Sequence, residues 1–341
     1  MSLPSVRVLR GVTPDSIPFA ELMEAGEPVL LKGVARDWPL VKKGLQSPAA
    51  AIDYLGHFHN GLSVAAYFGG KEMRGRYFYN PDLTGLNFTS RRLPLDEVLA
   101  MLAEQLDERE PWPIYVGSTT VDACLPGLRE KNDFEFSHPM FSGNAPLASI
   151  WIGNHSIASA HYDAPHNLAC CAVGRRRFTL FPPDQIENLY PGPLSPTPGG
   201  QAVSMVDFAA PDFDKYPRFK EALATAQVAE MEPGDAVFYP SLWWHQVEAL
   251  DRFNVLLNYW WQTSARFMDT PMNTVLHALL SLRDRPPVER DAWKAIFDFY
   301  IFSDPEKARA HLPEHVWGAL GPLDEAAARK LRAMLINKLN R

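Results

Sequence analysis

The chain has 341 residues and a mass of 38.3 kDa, enough for one large domain with additions or for two smaller ones. Apolar residues make up 46% of it and charged residues 21%, which excludes the disordered and fibrous classes. The 33 basic and 40 acidic residues give a formal net charge of −7 without a long basic block, which argues against nucleic acid as a partner.

Cellular location is indicated by what the sequence lacks. The N-terminus has no apolar core of a signal peptide, and no stretch approaches the roughly 20 apolar residues of a membrane span. Of the cysteines Cys124, Cys170 and Cys171, two are adjacent, and strand geometry would point them to opposite faces. A disulfide framework is therefore not expected. We expect a soluble cytoplasmic protein with no membrane contact.

Predicted elements change in character along the chain. Residues 1–110 are predicted to be an α/β region, which includes a helix over Leu93–Leu106 with apolar residues at helical spacing. From about Ser149 to Trp261, short runs rich in Val, Ile, Phe and Tyr are separated by turn residues. Such a series is typical of a barrel or a sandwich. We place the β-rich core at residues 111–265.

Turns and insertions interrupt the strand series. Glu232-Pro233-Gly234-Asp235 predicts a corner, since proline presets one turn dihedral and glycine permits a positive one. A Pro- and Gly-rich loop over Pro191–Gly200 breaks the series, and Asp207–Gln227 follows as a loop with a short helix. Residues 266–341 form a C-terminal helical region, with helical patterns over Pro271–Leu282, Arg290–Phe302 and Leu323–Leu339.

A histidine and a carboxylate two residues apart form a candidate metal site. Residues i and i+2 of a strand face the same side, so His161 and Asp163 can hold one ion. His245 is the candidate third ligand, because it follows a turn and an apolar strand where a jelly roll returns to the barrel mouth. Two histidines and one carboxylate leave three positions open, which is the ligand set typical of non-haem Fe(II) oxygenases.

Further motifs surround these residues from Glu27 to Trp261. They are His161-Tyr162-Asp163 with Asn167, Phe178–Gln185, Val206-Asp207-Phe208, Pro233-Gly234-Asp235, Trp243-Trp244-His245 and Asn258-Tyr259-Trp260. In their order and spacing, the chain resembles the cupin-like branch of the JmjC hydroxylases. The resemblance implies a mainly β fold with flanking helices, a double-stranded β-helix (jelly roll), that binds Fe(II) and 2-oxoglutarate. It also implies hydroxylation of a protein side chain or a small molecule.

The family's 2-oxoglutarate site, carried over by position, falls on four residues: Tyr115, Asn167, Arg176 and Asn258. A member of the family has lysine at the position of Arg176 and threonine at that of Ala158. Guanidinium can still pair with a carboxylate through two hydrogen bonds, and alanine at 158 provides room. Strand alternation points the Ser159 hydroxyl to the other face from Ala158. The rim of the site includes Arg74–Asn80.

Two other kinds of protein stay open. A non-catalytic cupin that binds a metal and an anion, as a sensor or an assembly module, is favoured by the departures at Ala158 and Arg176. A different metal cupin is disfavoured, since such sites commonly use more histidines. His57 and His59 are expected to be surface or helix residues, because nothing near them in the sequence completes a metal site. The resemblance also implies a homodimer formed through the C-terminal helices.

Overall fold

The computed structural model describes residues 3–340 and separates into two units, one ending at Gln262 and the other beginning at Thr263. The strands of the described residues all lie in the first unit. Within residues 3–340, no helix combines the length and the apolar character that crossing a bilayer requires. The predicted division of the first unit at residue 110 stays a prediction.

Two β-sheets form the first unit. Their strands are β1 (Arg7–Arg10), β2 (Val29–Lys32), β3 (Ser63–Gly69), β4 (Arg76–Tyr77), β5 (Phe88–Pro94), β6 (Ile114–Thr120), β7 (Leu147–Gly153), β8 (Ser156–Tyr162), β9 (His166–Val173), β10 (Arg176–Phe181), β11 (Gln227–Met231), β12 (Ala236–Tyr239), β13 (Trp244–Ala249) and β14 (Asn254–Trp261). The larger sheet has the order β1-β2-β12-β9-β14-β7-β6-β3-β5, and the smaller has the order β11-β10-β13-β8-β4. This sheet-rich architecture with flanking helices confirms the predicted jelly-roll fold class.

Short helices flank the sheets. In the first unit they are α1 (Phe19–Ala25), α2 (Pro39–Gln46), α3 (Pro48–Gly56), α4 (Leu95–Glu104), α5 (Val121–Cys124) and α6 (Phe219–Thr225). The amphipathic pattern predicted a helix over Leu93–Leu106, and α4 lies there. Its buried side chains are Leu95, Val98, Leu99 and Leu102, which recur at helical spacing and pack into the core.

The second unit contains helices where the C-terminal patterns predicted them. They are α7 (Pro271–Ser281), α8 (Pro287–Phe297) and α10 (Glu325–Leu339), and the short α9 (Pro305–Arg309) lies where no pattern predicted a helix. A π-helical turn over Asp298–Phe302 follows α8. The side chain of Asp324 accepts a hydrogen bond from Ala327 N and caps the start of α10, because the first amides of a helix lack partners within it.

Strand β14 shows how one sheet separates a core from a cavity. Its side chains alternate, because successive residues of a strand point to opposite faces. Val255, Leu257, Tyr259 and Trp261 belong to the largest apolar core. Leu256, Asn258 and Trp260 line a cavity on the opposite face. Asn258, a predicted site residue, therefore faces the cavity and not the apolar core.

The predicted corner at Glu232–Asp235 joins β11 to β12. Gly234 adopts a φ of +94°, and a Cβ there would lie 2.9 Å from the Arg36 Cα, so glycine is required on both counts. Asp235 is buried and accepts hydrogen bonds from Gly33 N at 2.8 Å and Glu232 N at 2.8 Å. Its carboxylate also forms a salt bridge of 2.5 Å with Lys32 Nζ. One carboxylate thus ties the corner to β2.

Candidate metal centre

On one face of the smaller sheet, cross-strand neighbours form three successive rows, each two residues further along β10 and β13 than the last. The first row pairs Leu180 of β10 with His245 of β13, and His245 with His161 of β8. The middle row runs Phe178, Val247, Ala158 and Tyr77, and the third runs Arg176, Ala249 and Ser156. The histidines and the arginine are therefore separated by one row along the same sheet.

A β-bulge in β8 positions the first row. The register with β13 shifts between His245 and Val247, so that Ser159 and Ala160 together oppose one residue of the partner strand. Without the bulge, Ala158 and His161 would face opposite sides, because their positions differ by three and side chains alternate along a strand. With it, Ala158, Ser159 and His161 all line the cavity. The Ser159 hydroxyl nevertheless accepts from Arg76 Nε at 3.2 Å, and Arg76 precedes Tyr77 on β4 and pairs with Ile157, so this hydroxyl lies on the face away from Ala158, as strand alternation predicts.

The structure brings the three predicted ligands together. One ligand atom each from His161, Asp163 and His245 lies within 4.8 Å of the other two. The two imidazole centroids are 4.4 Å apart, and His245 Nε2 is 3.6 Å from Asp163 Oδ2. Such spacing fits side chains that converge on one small cation.

Both imidazoles are oriented by the main chain. His161 Nδ1 lies 2.9 Å from the Ser159 carbonyl, and His245 Nδ1 lies 2.9 Å from the Trp243 carbonyl. A carbonyl can only accept, so each Nδ1 carries the proton and each Nε2 keeps its lone pair. This is the tautomer that a metal-binding histidine needs.

Burial prepares His245 for this role. The side chain is 2% exposed, and burial, followed by the charge of the neighbouring His161, lowers the pKa of His245 to about 4. The ring is therefore neutral at neutral pH, and its short distance to Asp163 is not an ion pair there. A neutral imidazole beside a carboxylate can bind a divalent cation without first losing a proton.

Asn167 lies next to the carboxylate of the site. Its side chain is wholly buried, and Nδ2 donates to Asp163 Oδ2 at 3.1 Å. Its Oδ1 has no hydrogen-bond partner among the described residues. The structure thus places this predicted 2-oxoglutarate residue against a predicted ligand, where it restrains the carboxylate.

A cavity of about 680 Å³ contains the three ligands and a large aromatic surface. Trp151 stacks beside Tyr115 at 5.8 Å, and Trp260 meets Trp151 edge-on at 6.0 Å. The predicted Pro- and Gly-rich loop contributes Thr197–Gly200 to the wall. At the base of that loop, Gly192 N donates to Val203 O at 2.8 Å. The cavity is thus walled by rigid rings and a short backbone loop.

Arg176 points a guanidinium into this cavity from β10. It is 2% exposed, and its Nε and Nη2 atoms are buried without hydrogen-bond partners among the described residues. Burial lowers the pKa of Arg176 from its usual value, which for arginine still leaves the group charged. A buried charge with unsatisfied donors is costly unless an anion completes it. The site is therefore built to receive an anion.

The other two predicted co-substrate residues line the same cavity. Burial raises the pKa of the Tyr115 hydroxyl, and the charge of Arg176 opposes that rise, so the two groups interact. Asn258 is 3% exposed, and its Oδ1 has no partner among the described residues. Both side chains thus offer polar atoms to a molecule bound beside the guanidinium.

The arginines flanking Arg176 face outward, as strand alternation predicts. Arg175 forms a salt bridge of 2.8 Å with Asp251, and Arg177 one of 2.6 Å with Glu230. These side chains are 53% and 46% exposed, respectively. The basic cluster at 175–177 therefore divides into one interior charge and two surface ion pairs.

Two lining residues have no counterpart in the motifs of the sequence. Tyr77 lies in the predicted rim segment, but it reaches the cavity only because two-residue β4 pairs in parallel with β8. Trp151 alternates with core residues along β7. Within residues 3–340, His161, Asp163 and His245 form the one cluster of three possible metal ligands, and His57 Nδ1 instead lies within hydrogen-bond distance of the Asp53 carbonyl.

Comparison with known proteins supports a family assignment. Lysine-specific demethylase JMJ31 of Arabidopsis thaliana is 37% identical over 131 residues, which are 37% of this chain and 23% of that protein. Lysine-specific demethylase 8 of Xenopus tropicalis is 26% identical over 240 residues, 69% of this chain and 48% of that protein. The chain therefore spans less than half the length of these two relatives.

tRNA wybutosine-synthesizing protein 5 of Gallus gallus is 29% identical over 289 residues, 76% of this chain and 78% of that protein. The solved structure of YcfD, a ribosomal oxygenase from Escherichia coli in complex with cobalt and 2-oxoglutarate, superposes with a TM-score of 0.41 at 15% identity and covers 96% of this chain and 68% of that one. A model of the cupin-like domain matches residues 14–267. The chain belongs to the cupin-like (JmjC) domain family.

Proposed function

We propose that this chain is an Fe(II)- and 2-oxoglutarate-dependent oxygenase that hydroxylates a protein side chain or a small molecule. One observation carries the proposal: the cluster of His161, Asp163 and His245 shares a cavity with the buried guanidinium of Arg176, whose Nε and Nη2 lack partners within residues 3–340. A cation site beside an anion site is what a metal-chelating dicarboxylate requires.

The donor set fits Fe(II). Two neutral imidazoles and one carboxylate on one side of an ion leave positions for a bidentate ligand and for oxygen. When bound, Fe(II) and 2-oxoglutarate supply oxidation of a substrate carbon by O₂, with succinate and carbon dioxide as by-products. The protein's own contribution is to hold His161 and His245 in one tautomer and to restrain Asp163 through Asn167.

The anion site fits 2-oxoglutarate. Arg176 lies two rows from His245 along the sheet, roughly 13 Å between backbones at the usual rise per residue, and its long side chain points back into the cavity. Its planar donors suit a carboxylate, and Tyr115 and Asn258 add polar atoms nearby. Apolar side chains of Phe178 and Leu256 line the same cavity and limit the access of water.

The relatives do not define the substrate. Their names refer to lysine demethylation and to wybutosine synthesis on tRNA, which are different substrates. The net charge of −7 disfavours RNA for this chain, since RNA binding relies on basic surface. We therefore keep hydroxylation of a protein side chain or a small molecule as the proposed reaction.

Turnover of the co-substrate tests the proposal. Protein loaded anaerobically with Fe(II) should release succinate from 2-oxoglutarate when oxygen and candidate substrates are added. The Asp163→Ala variant, treated identically, is the control for iron free in solution. If the protein binds metal and 2-oxoglutarate tightly but forms no succinate with any candidate, the alternative of a non-catalytic sensor or assembly module is favoured.

We also propose a homodimer formed through the C-terminal helices. Several large apolar side chains of that unit are exposed in the single chain: Val275, Leu276, Leu280, Val288, Phe302, Ile336 and Leu339. Exposed apolar side chains in this number are typical of a surface that a partner subunit covers. Light scattering should give the mass of two chains, and a mass of 38.3 kDa would contradict the proposal.

A cytoplasmic location is the corresponding proposal for the cell. Its support is the cysteine usage, since Cys124, Cys170 and Cys171 are all free and buried. Thiols of this kind persist where the surroundings are reducing. Fractionation of cells expressing a tagged chain would test it, and recovery in an oxidising compartment would contradict it.

A further inference from the structure

The cavity has two ends, which the strand order of the smaller sheet separates. Arg176 lies on β10, the two histidines on β13 and β8, and Tyr77 on β4. Three strand spacings separate β10 from β4, which is roughly 14 Å at the usual distance between strands. Across the strands, Tyr77 therefore lies beyond the metal ligands as seen from β10, while along the strands it lies in the row between the histidines and Arg176, with its ring 5.3 Å from that of Tyr115.

That second end has no charged side chain in its wall. It is lined by Tyr67, Tyr77, Leu86, Phe88, Ser90 and the loop Thr197–Gly200. In the lining of the whole cavity, as far as the described residues show it, the charged groups are Asp163 and Arg176. Asp163 is the predicted metal ligand and Arg176 the anion site, so neither is available to a cationic substrate.

The tyrosine at this end has a free hydroxyl. Tyr77 is 6% exposed, lines the cavity, and its Oη has no hydrogen-bond partner among the described residues. Burial, and then the neighbouring Tyr115, raises the pKa of Tyr77, so the hydroxyl keeps its proton. A buried O–H without an acceptor is unfavourable, and a ligand that offers an acceptor would complete it.

The aromatic rings at this end pack against one another. Tyr77 and Phe88 meet edge-on at 5.2 Å and 68°, and Tyr67 and Phe88 meet edge-on at 5.3 Å and 71°. In such contacts the edge of one ring covers a face of another. These contacts fix the position of the Tyr77 ring and supply no negative charge to a cationic substrate.

We propose that this end of the cavity selects an uncharged substrate side chain that offers a hydrogen-bond acceptor, with the Tyr77 hydroxyl as its positioning donor. The inference rests on the proposed function, because it assigns the substrate class of the same cavity. A lysine or arginine side chain entering here would lose its hydration without gaining a carboxylate, which disfavours it. A neutral amide or urea group would lose less and would satisfy Tyr77.

Isosteric probes can isolate the effect of charge. The experiment uses the full chain loaded with redox-inert Zn(II) and saturated with 2-oxoglutarate, so that binding is measured without turnover. The probes are the Nα-acetyl N-methylamides of citrulline, arginine, norleucine and trimethyllysine, with affinities measured by saturation-transfer NMR titration. Citrulline and arginine have nearly the same shape and differ in charge. We expect citrulline to bind tighter than arginine and trimethyllysine by roughly tenfold or more.

Two variants test the role of the hydroxyl. Tyr77→Phe keeps the ring and should reduce the preference for citrulline over norleucine by roughly threefold to tenfold. Tyr79→Phe is the matched control, because its hydroxyl instead donates to the Pro193 carbonyl at 3.3 Å. Tyr77→Leu removes both the ring and the hydroxyl donor, so we do not expect it to restore the preference for citrulline over norleucine.

Each outcome decides one point. Equal or tighter binding of arginine or trimethyllysine overturns the proposed selectivity, and so does the absence of citrulline binding at the solubility limit. Equal behaviour of Tyr77→Phe and Tyr79→Phe overturns the role of Tyr77. Zn(II) content and the Kd for 2-oxoglutarate are measured on the same samples. If the protein binds neither Zn(II) nor 2-oxoglutarate while citrulline still binds selectively, the proposed function is wrong and the selectivity stands.

Discussion

Asn167 Nδ2 donates a hydrogen bond of 3.1 Å to Asp163 Oδ2 from a side chain that is wholly buried. The amide thereby restrains the one carboxylate of the candidate metal site, while the two imidazoles are restrained by main-chain carbonyls. Contacts that orient a ligand typically matter for metal affinity almost as much as the ligands do.

The first prediction concerns this contact. Asn167→Ala should weaken metal binding by about tenfold, because the carboxylate would then have to be ordered by the metal itself. Titration with Co(II), followed by its visible absorption bands, measures the affinity. Asn188→Ala is the control, since that amide donates to Gln185 instead. An unchanged affinity in Asn167→Ala would mean that the hydrogen bond does not position Asp163.

Loss of a ligand should abolish binding. His161→Ala and Asp163→Ala should each lose stoichiometric metal, as measured by elemental analysis after dialysis, while the circular dichroism spectrum is retained. The side chains of both residues face the cavity, so the strands do not depend on them for packing. His155→Ala removes an exposed histidine nearby and serves as the control. Full metal content in both ligand variants would contradict the assignment of the site.

Arg176 should control co-substrate binding and not metal content. Arg176→Met keeps the bulk of the side chain but removes its charge, and we expect the Kd for 2-oxoglutarate to rise on the order of a hundredfold. Calorimetric titration of Zn(II)-loaded protein measures it. Arg177→Met is matched to it on the same strand, but that side chain faces outward toward Glu230. Similar losses in both variants would show a general effect of charge and not a site.

The corner carboxylate should matter for stability. Asp235→Ala should lower the free energy of unfolding by about 3 kcal/mol, because it removes a buried carboxylate that accepts from two partly buried backbone amides and from Lys32. Urea denaturation measures the loss. Glu230→Ala, which breaks an exposed ion pair with Arg177, should cost less than about 1 kcal/mol. Equal losses would mean that burial of Asp235 is not what makes it stabilising.

The buried thiols should be unreactive in the folded protein. Burial raises the pKa of Cys171 to about 12 and that of Cys170 well above its usual value. The thiolate is the reactive form, and a raised pKa keeps each group protonated from pH 7 to 9. An aromatic disulfide reagent at pH 8 should therefore modify them only after denaturation with guanidinium. Rapid modification of both in the native protein would contradict their burial.

The ligand triad could be predicted because it depends on local rules. Residues two apart on a strand share a face, and that rule places His161 beside Asp163 without knowledge of the fold. The outward direction of Arg175 and Arg177 follows from the same alternation. His245 was inferred from its position after a turn and an apolar strand, because the pairing of β13 with β8 is long-range and no local rule encodes it.

The rest of the site depends on pairings that the local sequence does not encode. The bulge at Ser159 and Ala160 carries no glycine or proline to mark it, and it brings His161 to the same face as Ala158. Tyr77 enters the cavity through a strand of only two residues, paired in parallel with a segment some 80 positions later. Strand patterns of that length give no periodicity to read.

Because backbone carbonyls orient both imidazoles, the neighbouring side chains can diverge in sequence. Since the carbonyls of Ser159 and Trp243 hold His161 and His245, the side chains at those two positions can change without rotating either ring. Ring orientation is then inherited from strand geometry, which tolerates substitution far better than a network of polar side chains does. The orientation of the candidate metal ligands can thus survive many substitutions of neighbouring residues, while the side chains of the cavity wall are free to change.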